Sequence, residues 1–258
     1  VQHFSRTPLK TALVTGGAKR IGKAIVEDLA AHGFAVAIHA NGSLGDAEAL
    51  AADIRAQGGH AAAVSADLED ITATEELVDA AVSAIGPLGL VVNNASIFLK
   101  DSLMELDARA WDSHFAVHAR APSIITSAFA RQLPETASGL VVNIVDQRVW
   151  APNPRFFSYM LSKAALWMAT QTMAQALAPA IRVNAIGPGP TLPNERQNEK
   201  DFQAQVEALI LRRGPALEEF GRTIRFLFDT PSLTGQMLAL DGGQHLAWET
   251  PDIREIVE

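Results

Sequence analysis

Cysteine is absent from the chain, which excludes disulfides and thiolate chemistry. There is no apolar run of the 18 or more residues that a membrane span needs, and no basic excess. The net charge is −8, so neither a membrane nor a nucleic acid is an expected partner, since phosphate backbones are bound through basic patches. The first residues, Val1 to Lys10, carry no apolar core of a signal peptide, and a cytoplasmic location is the expectation. Tyrosine occurs once, at Tyr159. What is plentiful is apolar material: 48% of the 258 residues are hydrophobic against 19% charged, ample for a large core.

That material is ordered. Seven short apolar runs alternate with longer helix-like segments: Thr11–Thr15, Phe34–His39, Ala61–Ser65, Leu90–Val92, Leu140–Val145, Ile181–Ala185 and Met237–Leu240. Most are continuously apolar, the pattern of strands covered on both faces in a parallel sheet. Between them, Lys19–Ala31, Ala47–Gln57 and Thr72–Ile85 have helical spacing. The alternation predicts one doubly wound α/β domain over residues 1–258, of Rossmann type, with a seven-stranded parallel sheet and helices on both faces. No repeat or low-complexity linker interrupts it. A stretch rich in Pro and Gly, Gly187 to about Asn198, reads as the start of a substrate loop reaching to about residue 215.

Two places carry chemistry. Thr15-Gly16-Gly17-Ala18-Lys19-Arg20-Ile21-Gly22 follows the first strand and opens the first helix. Glycines there let backbone approach a phosphate at a helix N-terminus; the plain alternative is an unliganded turn. At the other place, Tyr159 and Lys163 stand four residues apart in a helical run and share a face. An ammonium beside a phenol favours the phenolate and should lower its pKa from about 10 toward neutrality. Asp146, which closes the fifth apolar run, lies 13 positions before Tyr159.

These features occur in the order of the classical short-chain dehydrogenase/reductase family, which the chain resembles from about Thr11 to Gly243. The first turn resembles TGxxxGxG, with Arg20 at the middle glycine. Asn93-Asn94-Ala95-Ser96 resembles NNAG, Tyr159 to Lys163 is YxxxK, and Arg182 to Gly189 resembles RVNxxxPG. Thr234 to Gly243 resembles the closing strand, and Asp146 stands where the family has its catalytic serine. The resemblance implies a proton donor at Tyr159, its helper at Lys163 and an assisting acid at Asp146. It also implies cofactor contacts from Gly16, Lys19, Arg20, Ile21, Gly22, His39, Asn41, Ser43, Asp67, Leu68, Asn94, Ala95, Ser96, Tyr159, Lys163, Pro188 and Gly189. The segment His39 to Ser43 holds no acid to grip a ribose diol. With Lys19 and Arg20 nearby, this points to NADPH rather than NADH, although Gly42 stands where an arginine is common. For His39 the plain alternative is a strand-end histidine bonded to backbone.

Within the family, Arg20, His39 to Ser43, Asp146 and Phe98 are similar to the pteridine reductases, including bacterial dihydromonapterin reductases. That resemblance implies a small flat substrate stacked on Phe98 and held by Arg20, Ser96, Phe98, Asp146 and Tyr159. It implies no metal, and a homotetramer. His118 replaces the family's helix-kinking, proton-relaying asparagine. Three alternatives stand beside this reading: a 3-oxoacyl-carrier-protein-type ketoreductase, a non-catalytic nucleotide sensor, and an Asp146 that merely pairs with Arg148 or Arg155.

Overall fold

In the computed structural model, which describes residues 6–193 and 198–248, the apolar runs become adjacent strands. These are β2 (Thr11–Val14), β3 (Ala35–Ala40), β4 (His60–Ser65), β5 (Leu90–Asn93), β6 (Ala137–Ile144), β7 (Ile181–Pro188) and β8 (Met237–Leu240). All pair in parallel, in the order β4-β3-β2-β5-β6-β7-β8. Successive side chains alternate between two cores. Val14, Ile38, Val92 and Val142 pack under α1 (Arg20–Ala31), α2 (Leu44–Ala56) and α8 (Leu217–Asp229). Leu13, Ala37, Val91 and Val141 pack under α3 (Ile71–Ile85), α5 (Ala121–Gln132) and α6 (Phe157–Leu177). Because both faces are buried, the strands read as continuous apolar runs. This is the expected Rossmann-type arrangement.

Three features add detail to the expected arrangement. A two-residue strand β1 (Thr7–Pro8) pairs with the start of β6. The segment around Trp111 to Leu133 is broken into α4 (Ala108–Phe115), a π-helical turn at Ala116–Arg120, and α5. The expected loop from 187 is shorter: β7 runs on through Pro188, and α7 (Glu199–Glu207) occupies its second half. Residues 194–197 of that loop lie outside the described ones. No described helix is long and apolar enough to cross a membrane.

The strand order reverses beside β2, where β3 leads one way and β5 the other. Ligands of open parallel sheets bind outside the carboxyl ends of the strands at such a reversal. A buried polar chain fixes those ends. Asn93 Nδ2 donates to Asn143 Oδ1 (2.8 Å), and Asn143 Nδ2 donates to Thr170 Oγ1 on α6 (2.9 Å). The tie joins β5, β6 and the helix that carries Tyr159.

Candidate active site

The glycine turn between β2 and α1 is fixed by its neighbours. Asn94 Nδ2 donates to the Thr15 and Gly16 carbonyls (2.8 and 3.0 Å), and Thr15 Oγ1 accepts from the amides of Asn94 and Ala95 (2.9 and 3.0 Å). Gly16 has φ +60°, and a Cβ on Gly22 would collide with the Gly16 carbonyl and the Asn94 amide. The turn therefore forms a cradle of bare backbone at a helix N-terminus, suited to a phosphate. Gly22→Ala is expected to cost about 1–3 kcal/mol of stability, as overpacking does, and to weaken dinucleotide binding more than tenfold. Titration of wild type and variant checks this, and equal affinities would remove Gly22 from the cradle.

Arg20 has φ +52°, a left-handed conformation costly for any residue with a Cβ. This explains why glycine is usual at that place. The side chain spans the cleft, and its guanidinium donates to the carbonyls of Leu192 and Pro193 (3.5 and 3.1 Å). Lys19 pairs with Asp46 at 3.0 Å, both side chains being more than half exposed. Asp46 lies in the first turn of α2 and faces this lysine.

His39 follows the plain alternative. Its Nδ1 accepts from the Gly16 amide (3.1 Å) and its Nε2 donates to the Ala66 carbonyl (3.0 Å). It is buried, and burial lowers its pKa. Both nitrogens are spent on backbone, so His39 braces the turn and leaves no polar atom for a ligand. Asn41 and Asp67 are exposed, Ser43 is half-buried and Leu68 is buried. These four, like His39, do not line the main cleft. Asp67 accepts from the Glu69 amide in a local turn (2.9 Å).

At the chemical end, Tyr159 Oη donates to Asp146 Oδ2 at 3.0 Å. Asp146 Oδ1 accepts from the Arg148 backbone amide at 2.9 Å, starting a short 3-10 turn at Gln147–Val149. The expected alternative of a hydrogen bond to Arg148 is thus present through the backbone amide, beside the bond to the phenol, while among the described residues no arginine side chain forms an ion pair with Asp146. Lys163 is buried, and its ammonium donates to the Ile144 carbonyl (2.9 Å) rather than to the phenol. The expected lowering of the phenol's pKa is therefore reversed. Burial first, then the Asp146 carboxylate, push Tyr159 well above its ordinary value. Burial brings Lys163 down to about 8 against a smaller upward pull from Asp146. The phenol keeps its proton at neutral pH and holds it against a carboxylate.

Phe98 lies against the edge of Tyr159, ring centroids 4.7 Å apart, and against Phe156 at 4.2 Å. It forms a wall beside the phenol and outside the main cleft's lining. His118 sits in the π-helical turn, the expected kink, but does not reach Lys163. Its Nε2 accepts from the Ile97 amide (3.1 Å) and Nδ1 bonds Ser162 Oγ (2.8 Å). Both ring nitrogens of His118 are thus engaged by protein groups rather than by Lys163.

The cleft, about 450 Å³, brings together Gly16, Lys19, Arg20, Ile21, Gly22, Asn94, Ala95, Ser96, Asp146, Tyr159, Lys163, Pro188 and Gly189. It adds residues that sequence reasoning missed. Gln147, Arg148, Leu192, Phe202 and Gln244 line it, and Gln147 Nε2 donates to Gln244 Oε1 across it (2.8 Å). Adjacency to Asp146 and to the closing Gly242-Gly243 pair was the available signal for three of them. Phe156 had none, since its place follows from a left-handed φ of +57° at the start of α6.

Comparison with known proteins places the chain as a whole. Two solved structures of FolM alternative dihydrofolate reductase 1 are 60% identical to the chain. That from Brucella canis, complexed with NADP, has a TM-score of 0.91 and covers 95% of this chain and 98% of its own. That from Brucella suis, also in complex with NADP, has a TM-score of 0.92 and covers 97% and 99%. A 3-oxoacyl-(acyl-carrier-protein) reductase from Synechocystis is 30% identical over 238 residues, 91% of this chain and 96% of that protein. The family model of the short chain dehydrogenases matches residues 10–204, and the chain belongs to that family.

Proposed function

We propose that this protein is an NADPH-dependent reductase of a dihydropteridine-type ring, a pterin or folate. One observation carries the reading: the proton-bearing phenol of Tyr159 is hydrogen-bonded to a carboxylate, Asp146, at 3.0 Å, beside the aromatic wall of Phe98. Reduction of a ring imine delivers hydride to carbon and a proton to the adjacent nitrogen. The reduced nicotinamide supplies the hydride when bound. Tyr159 supplies that proton, which Asp146, the acceptor of its hydrogen bond, relays to the ring nitrogen, leaving a phenolate. Lys163 keeps a positive charge under both below pH about 8. Phe98, packed on Phe156 beside the phenol, gives a flat ring an apolar border, and the glycine cradle with Lys19 and Arg20 suits the phosphates.

The 60% identity to the two alternative dihydrofolate reductases supports this choice. The ketoreductase reading draws on curated relatives such as the Synechocystis protein at 30% identity. A ketone needs one neutral hydroxyl donor and gives Asp146 no task, so the ketoreductase is the second reading. Loss of nicotinamide absorbance with dihydropteridine, dihydrofolate and an acetoacetyl thioester separates the two. Turnover is expected with the first two, with NADPH preferred to NADH by about one to two orders of magnitude, as one charged hydrogen bond to a phosphate supplies. Thioester reduction without pteridine turnover, or equal use of both nucleotides, would overturn the respective claim.

A further inference from the structure

Two buried histidines, one turn apart, are left without a task by the proton chemistry. His114 lies in the last turn of α4 and His118 in the π-helical turn; their rings stack at 5.6 Å and 17°. Each bridges the same two segments. His114 Nε2 accepts from the Leu99 amide (3.0 Å) and its Nδ1 bonds Ser158 Oγ (2.7 Å). His118 Nε2 accepts from the Ile97 amide (3.1 Å) and from Ser96 Oγ (3.0 Å), and its Nδ1 bonds Ser162 Oγ (2.8 Å). Ile97 and Leu99 flank Phe98, and Ser158 and Ser162 flank Tyr159.

Backbone amides only donate, so both Nε2 atoms must be bare and both Nδ1 atoms must carry the proton. Ser162 then passes its own proton to the Tyr159 carbonyl (2.7 Å). Only this one tautomer satisfies the bonds. An imidazolium would turn a proton on Nε2 toward an amide proton.

We infer that His114 and His118 are positioning residues for the substrate wall: their neutral, Nδ1-protonated imidazoles bolt the Phe98 segment to α6, and so set the gap between the ring of Phe98 and the proton donor Tyr159. The inference rests on the reading of Phe98 as a substrate wall. The charged and titratable groups facing the pair are Lys163, Asp101 and Tyr159. Asp101, buried, accepts from the Ser158 amide (3.1 and 3.2 Å) and favours the charged form of His114, while burial and Lys163 oppose it. Burial, Lys163 and His114 all hold His118 neutral.

The sign follows. Both pKa values lie below the unfolded value of 6.5. The unfolded chain therefore binds more protons just below pH 6.5, and the bolt is complete above that pH and weakens as pH falls through the folded values.

The test begins without substrate. Nitrogen NMR of histidine-labelled protein at pH 7.5 is expected to show both rings with bare Nε2 and protonated Nδ1. Amide exchange at Ile97 and Leu99 is expected to be slow. His118→Leu removes the acceptor, and exchange at Ile97 should quicken at least tenfold. His118→Gln returns a carbonyl oxygen that cannot protonate, and should restore protection. With dihydropteridine, His118→Leu should raise KM about tenfold while kcat and NADPH affinity stay within threefold, and His118→Gln should recover KM and flatten its rise below pH 6.5. The opposite tautomer in wild type, unchanged exchange in His118→Leu, or lost protection with an unchanged KM would each overturn the inference. If wild type turns over no pteridine, the proposed function fails, while tautomer and exchange still decide the bolt. If His118→Leu does not fold, the wild-type tautomers and His118→Gln decide it.

Discussion

Tyr159→Phe is expected to lower kcat for the true substrate by about 10²–10⁴-fold, the usual worth of a positioned general acid, and to leave NADPH affinity nearly unchanged. The variant keeps the ring, its packing against Phe98 and the helix. It loses only the hydroxyl that donates to Asp146. Near-full turnover would make Asp146, or water, the principal donor. The lysine behind the phenol adds a pH signature. Its pKa of about 8 is depressed from 10.5, so its charge is present below pH 8 and lost above. Between those values the unfolded chain holds a proton that the folded one has released. Stability should therefore rise with pH across the window while kcat/KM of the free enzyme falls. Thermal unfolding and initial rates over the same buffers would show the two moving in opposite directions. Parallel decline would place the discharge elsewhere.

Asp146→Ser carries the second large effect. A serine hydroxyl at this place can still accept from the Arg148 amide and from the phenol, so the loss of stability should stay near 1 kcal/mol. The chemistry should change more. The carboxylate that, after burial, pushes the Tyr159 pKa upward is gone, and so is the group that relays the phenol's proton to a ring nitrogen. Pteridine turnover is expected to drop by about two orders of magnitude, within the range for a lost general acid, with ketone reduction unchanged or improved. A variant with a lower Tm and an unchanged ratio of pteridine to ketone turnover would make Asp146 a loop support only.

Seven strands were readable because burial on both faces writes itself as unbroken apolar runs. β1 was not, since two residues held only by backbone bonds to β6 impose no side-chain pattern. The glycine turn, Asp146, Tyr159 and Lys163 were readable because their order and spacing are set by the strands they follow. Hydrogen-bond direction was not. Nothing in the residues from His39 to Ser43 says that the histidine spends both nitrogens on backbone. Nor does YxxxK say that the ammonium turns to the Ile144 carbonyl and leaves the phenol to a carboxylate. The kink between α4 and α5 was readable only through the resemblance at His118, and its form, an i→i+5 turn over Ala116–Arg120, was not.

The backbone of Arg20 also bears on how this chain would respond to directed evolution. A non-glycine residue held at φ +52° is strained, and Arg20→Gly would relieve that strain for a net gain of at most about 1 kcal/mol, once the entropy of the unfolded glycine is subtracted. It would also cut the strap to Leu192 and Pro193. A library screened for heat tolerance alone would tend to enrich that substitution, and one screened for turnover would discard it. Sorting the same library both ways would locate position 20 as a site where robustness and catalysis are selected in opposite directions.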